Sequence, residues 1–280
     1  MIIGENQTRL TKTEIAKKLG RSRGSFYYKK ILPAKDLLLK ESIKKVMSEH
    51  PAYGHKRIAM ELKLNRKRIL RVMKKFDLKP YRRRGRKPNK KDDQNKIPSI
   101  YPNIIKHFCP IRPNVVWVAD FTYIDFQGMF IYLATIEDRF TRQVVGYNIA
   151  SRHTEELVCG AFENALMNVG KAPLYHHDDQ GSEYDSNKYL GLLKREKVKI
   201  SMSKKASPWE NPHKESYYSG FKLDLGSTDQ FETLGELINA IYQTIYYYNN
   251  KRIHTKLKMS PQKFAEQYYL KNKLTCGQLV

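Results

Sequence analysis

The sequence predicts a mixed α/β domain with a five-stranded sheet, preceded by two small all-α helix-turn-helix modules. Three features carry this reading. β-branched and aromatic runs separated by short polar breaks fill residues 115–150, the pattern of successive antiparallel strands. Apolar residues recur at helical spacing in the front third and again beyond residue 230, as amphipathic helices require. Charge is divided unevenly: residues 1–91 hold 29 Lys/Arg against 7 Asp/Glu, a net of +22, which leaves +2 of the overall +24 for residues 92–280. A basic block of that size is a footprint for a polyanion, because cations that neutralise phosphates release condensed counterions. No apolar face accompanies it, which favours nucleic acid over a membrane surface.

The first module, 1–38, centres on a helix-turn-helix at residues 11–30. Ile15, Ala16 and Leu19 line the inner side of a short helix, Gly20 makes the turn, and a second helix brings Phe26 to the same core. Ala16 and Gly20 are small enough to let the helices cross closely. Arg21, Arg23, Lys29 and Lys30 then face DNA. The second module, 39–78, carries three short helices, marked by Ile43, Val46 and Met47, by Ile58 and Leu62, and by Ile69, Val72, Met73 and Phe76. The last has Arg66, Lys67, Arg68, Arg71, Lys74 and Lys75 around its polar side, as a helix lying along a phosphate backbone would. Residues 79–108 read as a basic linker, since Pro80, Gly85, Pro88 and Pro98 interrupt charged runs with almost nothing to bury. Its Arg82, Arg83, Arg84 and Arg86 suit phosphate contact, with Arg84-Gly85-Arg86 also able to enter a narrow minor groove.

The α/β unit spans 109–228. Strands are expected at 115–126, 129–137, 143–150, 173–177 and 198–202, with helices at 154–169 and 186–194. Asn211-Pro212 starts a further helix, because Asn caps orphan amides and Pro fits the first turn. Residues 229–280 form a C-terminal segment, helical at 231–248 and 261–269.

Three acids fall where this architecture can gather them: Asp120 in the first strand, Asp179 after the fourth, and Glu215 in the first turn after Asn211-Pro212. A strand centre flanked by Trp117 and Phe121 is a costly place for Asp120 unless it is paired, hydrogen-bonded or metal-bound. Two carboxylates ~4 Å apart repel by about 4 kcal/mol at an effective dielectric of 20, so such a cluster needs cations. All-oxygen ligands favour Mg²⁺ or Mn²⁺, and two such ions can activate a water and stabilise the leaving oxygen of a phosphodiester.

Trp117-x-x-Asp120, then His177-x-Asp179-x-Gly181-x-x-Tyr184, then Glu215 with 35 residues between it and Asp179, resemble the catalytic signature of the retroviral-integrase superfamily. Tyr248-Asn249-x-x-Arg252-x-His254-x-x-Leu257 with Ser260-Pro261-x-x-Phe264, and Tyr53-Gly54-x-x-Arg57-Ile58 upstream, resemble bacterial transposases of the "insertion sequence three" group. The resemblance covers roughly residues 12–270. It implies a ribonuclease-H-like catalytic core in which Asp120 bridges two Mg²⁺ ions, with Mn²⁺ able to substitute, while Asp179 and Glu215 each complete one site. It further implies DNA transposase activity on element ends and target, in a prokaryotic cytosol, by at least a dimer, with an upstream-frame product as a further partner. A stand-alone nuclease of the same fold and a DNA-binding regulator are the alternatives.

Two departures from the family bear on the site. Asp178 stands where the family usually has Ser, beside Asp179, and Trp209-Glu210-Asn211 places a second Glu near Glu215; register relative to Gly181 and Tyr184 favours Asp179, and the capping position favours Glu215. Lys214 and Lys222 are candidates for DNA phosphates beside the acids, while Arg252 and His254 suit either DNA contact or core support. Cys109, Cys159 and Cys276 are odd in number and far apart, and His50 and His55 lack paired cysteines, so neither a disulfide framework nor zinc is expected. No stretch approaches the ~18 apolar residues of a membrane helix.

Overall fold

The computed structural model describes residues 11–26, 32–82, 101–179, 181–203 and 212–276. β1 (Val116–Phe126), β2 (Met129–Asp138) and β3 (Val144–Ala150) run as an antiparallel meander. Gln127 (φ 50°) and Gly128 (φ 81°) supply the left-handed backbone of the first turn, which matches the twist of a two-residue hairpin. β4 (Tyr175–Asp178) lies parallel to β1 and β5 (Lys199–Met202) parallel to β4, giving the order β3-β2-β1-β4-β5. Parallel neighbours need crossovers, and α5 (Glu155–Val169) and α6 (Asn187–Arg195) provide them. All five strands lie within two residues of their expected positions.

Strand alternation divides the core into two layers. Trp117, Ala119, Ala134 and Ile136 pack on Leu157, Phe162 and Ala165 of α5 and on Tyr189 and Leu193 of α6. The opposite face sends Ile124, Phe126, Ile131 and Leu133 against Tyr217 and Phe221 of α7 (Pro212–Leu225) and Leu237, Ile241 and Ile245 of α8 (Leu234–Asn250). Thus α8, read from sequence as part of a separate C-terminal segment, packs with α7 on one face of the sheet. At Gly146 on β3 an added Cβ would sit 2.4 Å from the Ala161 carbonyl and 2.5 Å from the Ala165 Cβ. Gly146→Ala should therefore push α5 off the sheet and cost about 1–3 kcal/mol in denaturant unfolding, the range for overpacked cores; an unchanged midpoint would show that the layer tolerates the methyl.

In the front modules, α1 (Lys12–Lys18) starts with a Thr11/Glu14 capping box, and Gly20 turns at φ +60°. Leu19, expected inward, is 59% exposed. Among the described residues the expected second helix is a single 3-10 turn, Arg23–Phe26, and Lys29 and Lys30 lie outside them. α2 (Leu32–Glu49) is one continuous helix across the expected boundary at residue 38, followed by α3 (His55–Glu61) and α4 (Arg66–Lys75). Leu39, Ile43, Val46, Tyr53, Ile58, Ile69 and Val72 form their core.

Asp36, only 1% exposed, takes two hydrogen bonds from Arg71 (2.8 and 2.6 Å) and one from Lys75 (3.0 Å). Those contacts hold its carboxyl well below the usual range, Arg71 first. Arg71, read from sequence as a DNA contact, is therefore committed as a bidentate brace between α4 and α2.

The modules are docked on the core. The Tyr53 hydroxyl accepts from the Ile253 amide (2.7 Å), Arg57 Nε donates to the Ile253 carbonyl (2.9 Å), and His50 Nδ1 meets the Tyr247 hydroxyl at 2.7 Å. The expected linker is also shorter than 79–108. Arg82 folds back onto the Ala52 carbonyl at 3.1 Å, and Ile105 is buried with Val115, Val116 and Val118.

Candidate active site

Asp120 lies in β1 opposite Thr135 of β2. Trp117 pairs with His176 and Val118 with His177 in the parallel β1–β4 register. Continued two residues, that register sets Asp179 beside Asp120. Burial, then the Asp179 charge, pushes the Asp120 carboxyl up to about 7; Lys214 opposes the rise and Glu215 adds a smaller push. Asp179 is raised too, chiefly by burial, despite a hydrogen bond from the Gly181 amide. Asp120 thus feels both other acids. Glu215 is exposed in the first turn of α7.

The adjacent Asp178 points elsewhere. Alternation puts it on the α5/α6 face with His176, whose Nε2 is 3.7 Å away and also meets the Tyr189 hydroxyl at 2.7 Å. Asp178 is 0% exposed with neither oxygen hydrogen-bonded, and burial raises its carboxyl well above the ordinary value. Such burial disfavours its charged form. Glu210 and the expected Asn211 cap lie outside the described residues.

Lys214 corrects the sequence reading. Read there as a phosphate contact, it is 0% exposed, and its Nζ donates to Thr135 Oγ1 at 2.7 Å. Its ammonium is pushed down to about 8 by burial, against the opposing pull of Glu137 and Asp120. An ammonium sealed behind the sheet cannot reach DNA; it is an internal counter-charge to two buried acids. Tyr218 completes the arrangement, bonding the Asp120 carbonyl and meeting Thr135 Oγ1 at 2.9 Å, which pins the β1 backbone at the acid.

Glu183 and His153 were missed from sequence. Glu183 meets His153 Nδ1 at 2.5 Å and adds negative charge at Asp179. The Tyr184 hydroxyl is buried without a hydrogen-bond partner and feels Asp120 and Asp179. An acid after the Gly181 turn was the available signal for Glu183, but nothing distant in sequence marks His153 as its partner. Asp179 Oδ1 is likewise buried and unpartnered. Orphaned oxygen beside two mutually repelling acids fits a hard divalent cation. Among the described residues, however, no three Asp, Glu, His or Cys side chains are grouped closely enough to hold one ion.

Of the remaining DNA candidates, Arg21, Arg23, Arg66, Lys67, Arg68 and Arg82 are exposed. Lys222 is half-buried with its Nζ 4.8 Å from the centre of the Tyr123 ring. Arg83, Arg84 and Arg86 lie outside the described residues. Arg252 supports the core, its Nε 2.5 Å from Asp224 Oδ2. No described helix is long and apolar enough to cross a membrane.

Residues 110–208 and 196–261 match two models of the integrase core domain. The transposase for insertion sequence element IS904 of Lactococcus lactis is 35% identical over 82% of this chain and 94% of its own length. Transposase InsF for insertion sequence IS3fB of Escherichia coli is 31% identical over 55% of each chain. Among solved structures, a simian T-cell lymphotropic virus intasome in complex with PP2A regulatory subunit B56 gamma aligns over 80% of this chain and 74% of that one, at TM-score 0.51 and 15% identity. The five-stranded sheet and its helices are accordingly the ribonuclease-H-like integrase core. Shared length, sequence and fold agree, and the chain belongs to the bacterial insertion-sequence transposases of the "insertion sequence three" group, DNA transposases built on an integrase core.

Proposed function

We propose that Asp120, Asp179 and Glu215 are the catalytic carboxylates of this transposase and hold two Mg²⁺ ions, with Mn²⁺ able to substitute, for cleavage and joining of phosphodiesters at element ends. The observation that carries the reading is the raised Asp120 carboxyl, pushed to about 7 by burial and by Asp179. A site that strains to ionise two adjacent acids is built for added positive charge. Bound divalent ions would supply that charge, activate a water and stabilise the leaving oxygen. Asp120 would hold the ions together with Asp179 and Glu215, since it feels the charge of both. Glu215, exposed on α7, has the freedom to complete the set.

The protein's own groups do the positioning. Tyr218 and Thr135 fix the backbone at Asp120, and the buried Tyr184 hydroxyl feels Asp120 and Asp179. Exposed Arg21, Arg23, Arg66, Lys67 and Arg68 take backbone phosphates and bring an end to the acids. Bringing two ends together calls for at least a dimer, acting on double-stranded DNA in the bacterial cytosol. The test is purified protein with oligonucleotides carrying the ends. Nicking and joining that require Mg²⁺ or Mn²⁺ are expected. Binding without metal-dependent chemistry would overturn the reading in favour of a regulator, and cleavage without joining in favour of a nuclease.

Metal should also register in stability. A folded-state pKa raised from 3.8 to about 7 means the folded protein holds a proton that the unfolded chain has lost, so metal-free stability falls as pH rises through that window. Ions displace that proton. Mg²⁺ held at one concentration, ten times its Kd at pH 8, should add about 1.4 kcal/mol at that pH and less at pH 5.5 in thermal unfolding, with the gain lost in Asp120→Asn. A gain independent of pH would count against Asp120 as a ligand.

A further inference from the structure

Where α3 meets the core, a cavity of about 430 Å³ is lined by Arg57, Arg142, Arg252, His254 and Lys256, with Glu137 as its acid. The cations are held there. Arg57 Nε is tied to the Ile253 carbonyl at 2.9 Å, Arg142 lies 3.5 Å from Glu137 Oε1, and Arg252 Nε lies 2.5 Å from Asp224 Oδ2. Each guanidinium has five donors, so one anchoring contact leaves others available to the cavity. Four cations against Glu137 and Asp224 leave a surplus of two positive charges. All four act at one point: burial first, then Arg142, Arg252, Arg57 and Lys256, push the His254 ring down to about 4. Like charges fixed this closely repel unless an anion joins them.

We infer that this cavity binds a backbone phosphodiester of the DNA on which the enzyme acts. The inference rests on the transposase reading for its choice of anion. Ser216, the residue after Glu215, lines the same cavity, so a phosphate here lies beside the strand presented to the acids. Arg57 belongs to the front module and the other cations to the core. One phosphate therefore bridges the two, and DNA binding tightens a docking already made through Tyr53 and Ile253.

The test uses the full chain and an end-bearing duplex scanned with single methylphosphonate linkages, which remove one phosphate charge at a time. Lys256 is exposed, so Lys256→Gln leaves folding intact, and Arg142→Gln is the second variant. Each is expected to weaken binding about 3- to 10-fold and to lower the slope of log affinity against log salt by about 0.9 for each phosphate no longer neutralised. One or two linkages near the cleavage point should cost wild type the same factor yet cost the variants nothing more. Additive losses at every linkage, or unchanged salt slopes, overturn the inference. So does inorganic phosphate that shifts the His254 ring resonances while leaving DNA affinity unchanged, the mark of a free-phosphate site. Additive losses in a protein that cuts and joins DNA sink the cavity alone; coupled losses without metal-dependent chemistry sink the transposase mechanism alone.

Discussion

Asp179→Asn is expected to abolish metal-dependent cleavage and joining, while Asp178→Asn, one residue earlier, leaves both within about threefold. Strand alternation is the reason. Asp178 shares the α5/α6 face with His176, and burial disfavours its charged form, so an uncharged amide of the same shape fits its place in the core. Asp179 shares the other face with Asp120 and acts on it through its charge. Losing a ligand oxygen from a two-ion site removes several kcal/mol of transition-state stabilisation, or about 10³-fold in rate at 1.36 kcal/mol per tenfold. Asp120→Asn and Glu215→Gln should fall with Asp179→Asn, and duplex affinity should hold in all of them. Single-turnover cleavage and joining of end oligonucleotides, beside a binding titration, measures both. An active Asp179→Asn enzyme, or a folded but inactive Asp178→Asn enzyme, would reverse the assignment of the two acids.

The core was legible in the sequence because its signals are local. The β1–β3 meander shows as β-branched runs with a Gln127-Gly128 break, and the approach of Asp120 to Asp179 follows from parallel pairing of two recognisable strands. What escaped depends on partners far apart in sequence. Nothing near Arg71 reveals that its guanidinium is committed to Asp36, so a basic helix face looked uniformly available to DNA. Residues 101–108 look like linker because their one buried anchor, Ile105, needs the sheet edge to cover it. α8 carries an ordinary amphipathic pattern, and periodicity cannot say that its apolar face closes on β1 and β2. Lys214 failed for a related reason: on a helix beside Glu215 a lysine is by default a solvated cation, and only the buried Glu137 and Asp120, both distant in sequence, make an inward ammonium tolerable.

Lys214→Met should consequently destabilise the protein rather than weaken its hold on DNA. The substitution leaves Glu137, 2% exposed, with Arg142 at 3.5 Å as its remaining cation, and removes the Lys214 hydrogen bond to Thr135 Oγ1. Removing one member of a buried charge set costs about 3–5 kcal/mol, because the charge left behind is uncompensated. Lys214→Met/Glu137→Gln should recover most of that loss, since removing both charges removes the desolvation penalty of each. The pH profile distinguishes this from lost packing. A lysine lowered from 10.5 to about 8 sheds its proton in the folded state before the unfolded chain does, so wild type gains stability relative to the variant as pH rises from about 8 towards 10.5. Denaturant unfolding of wild type, single and double variants at pH 7 and pH 9.5 gives the cycle. Additive single and double losses with no difference in pH slope would mean that Lys214 acts only as a spacer, and a variant of normal stability with a shallower salt slope for DNA would return Lys214 to the phosphate-binding role its sequence position suggests.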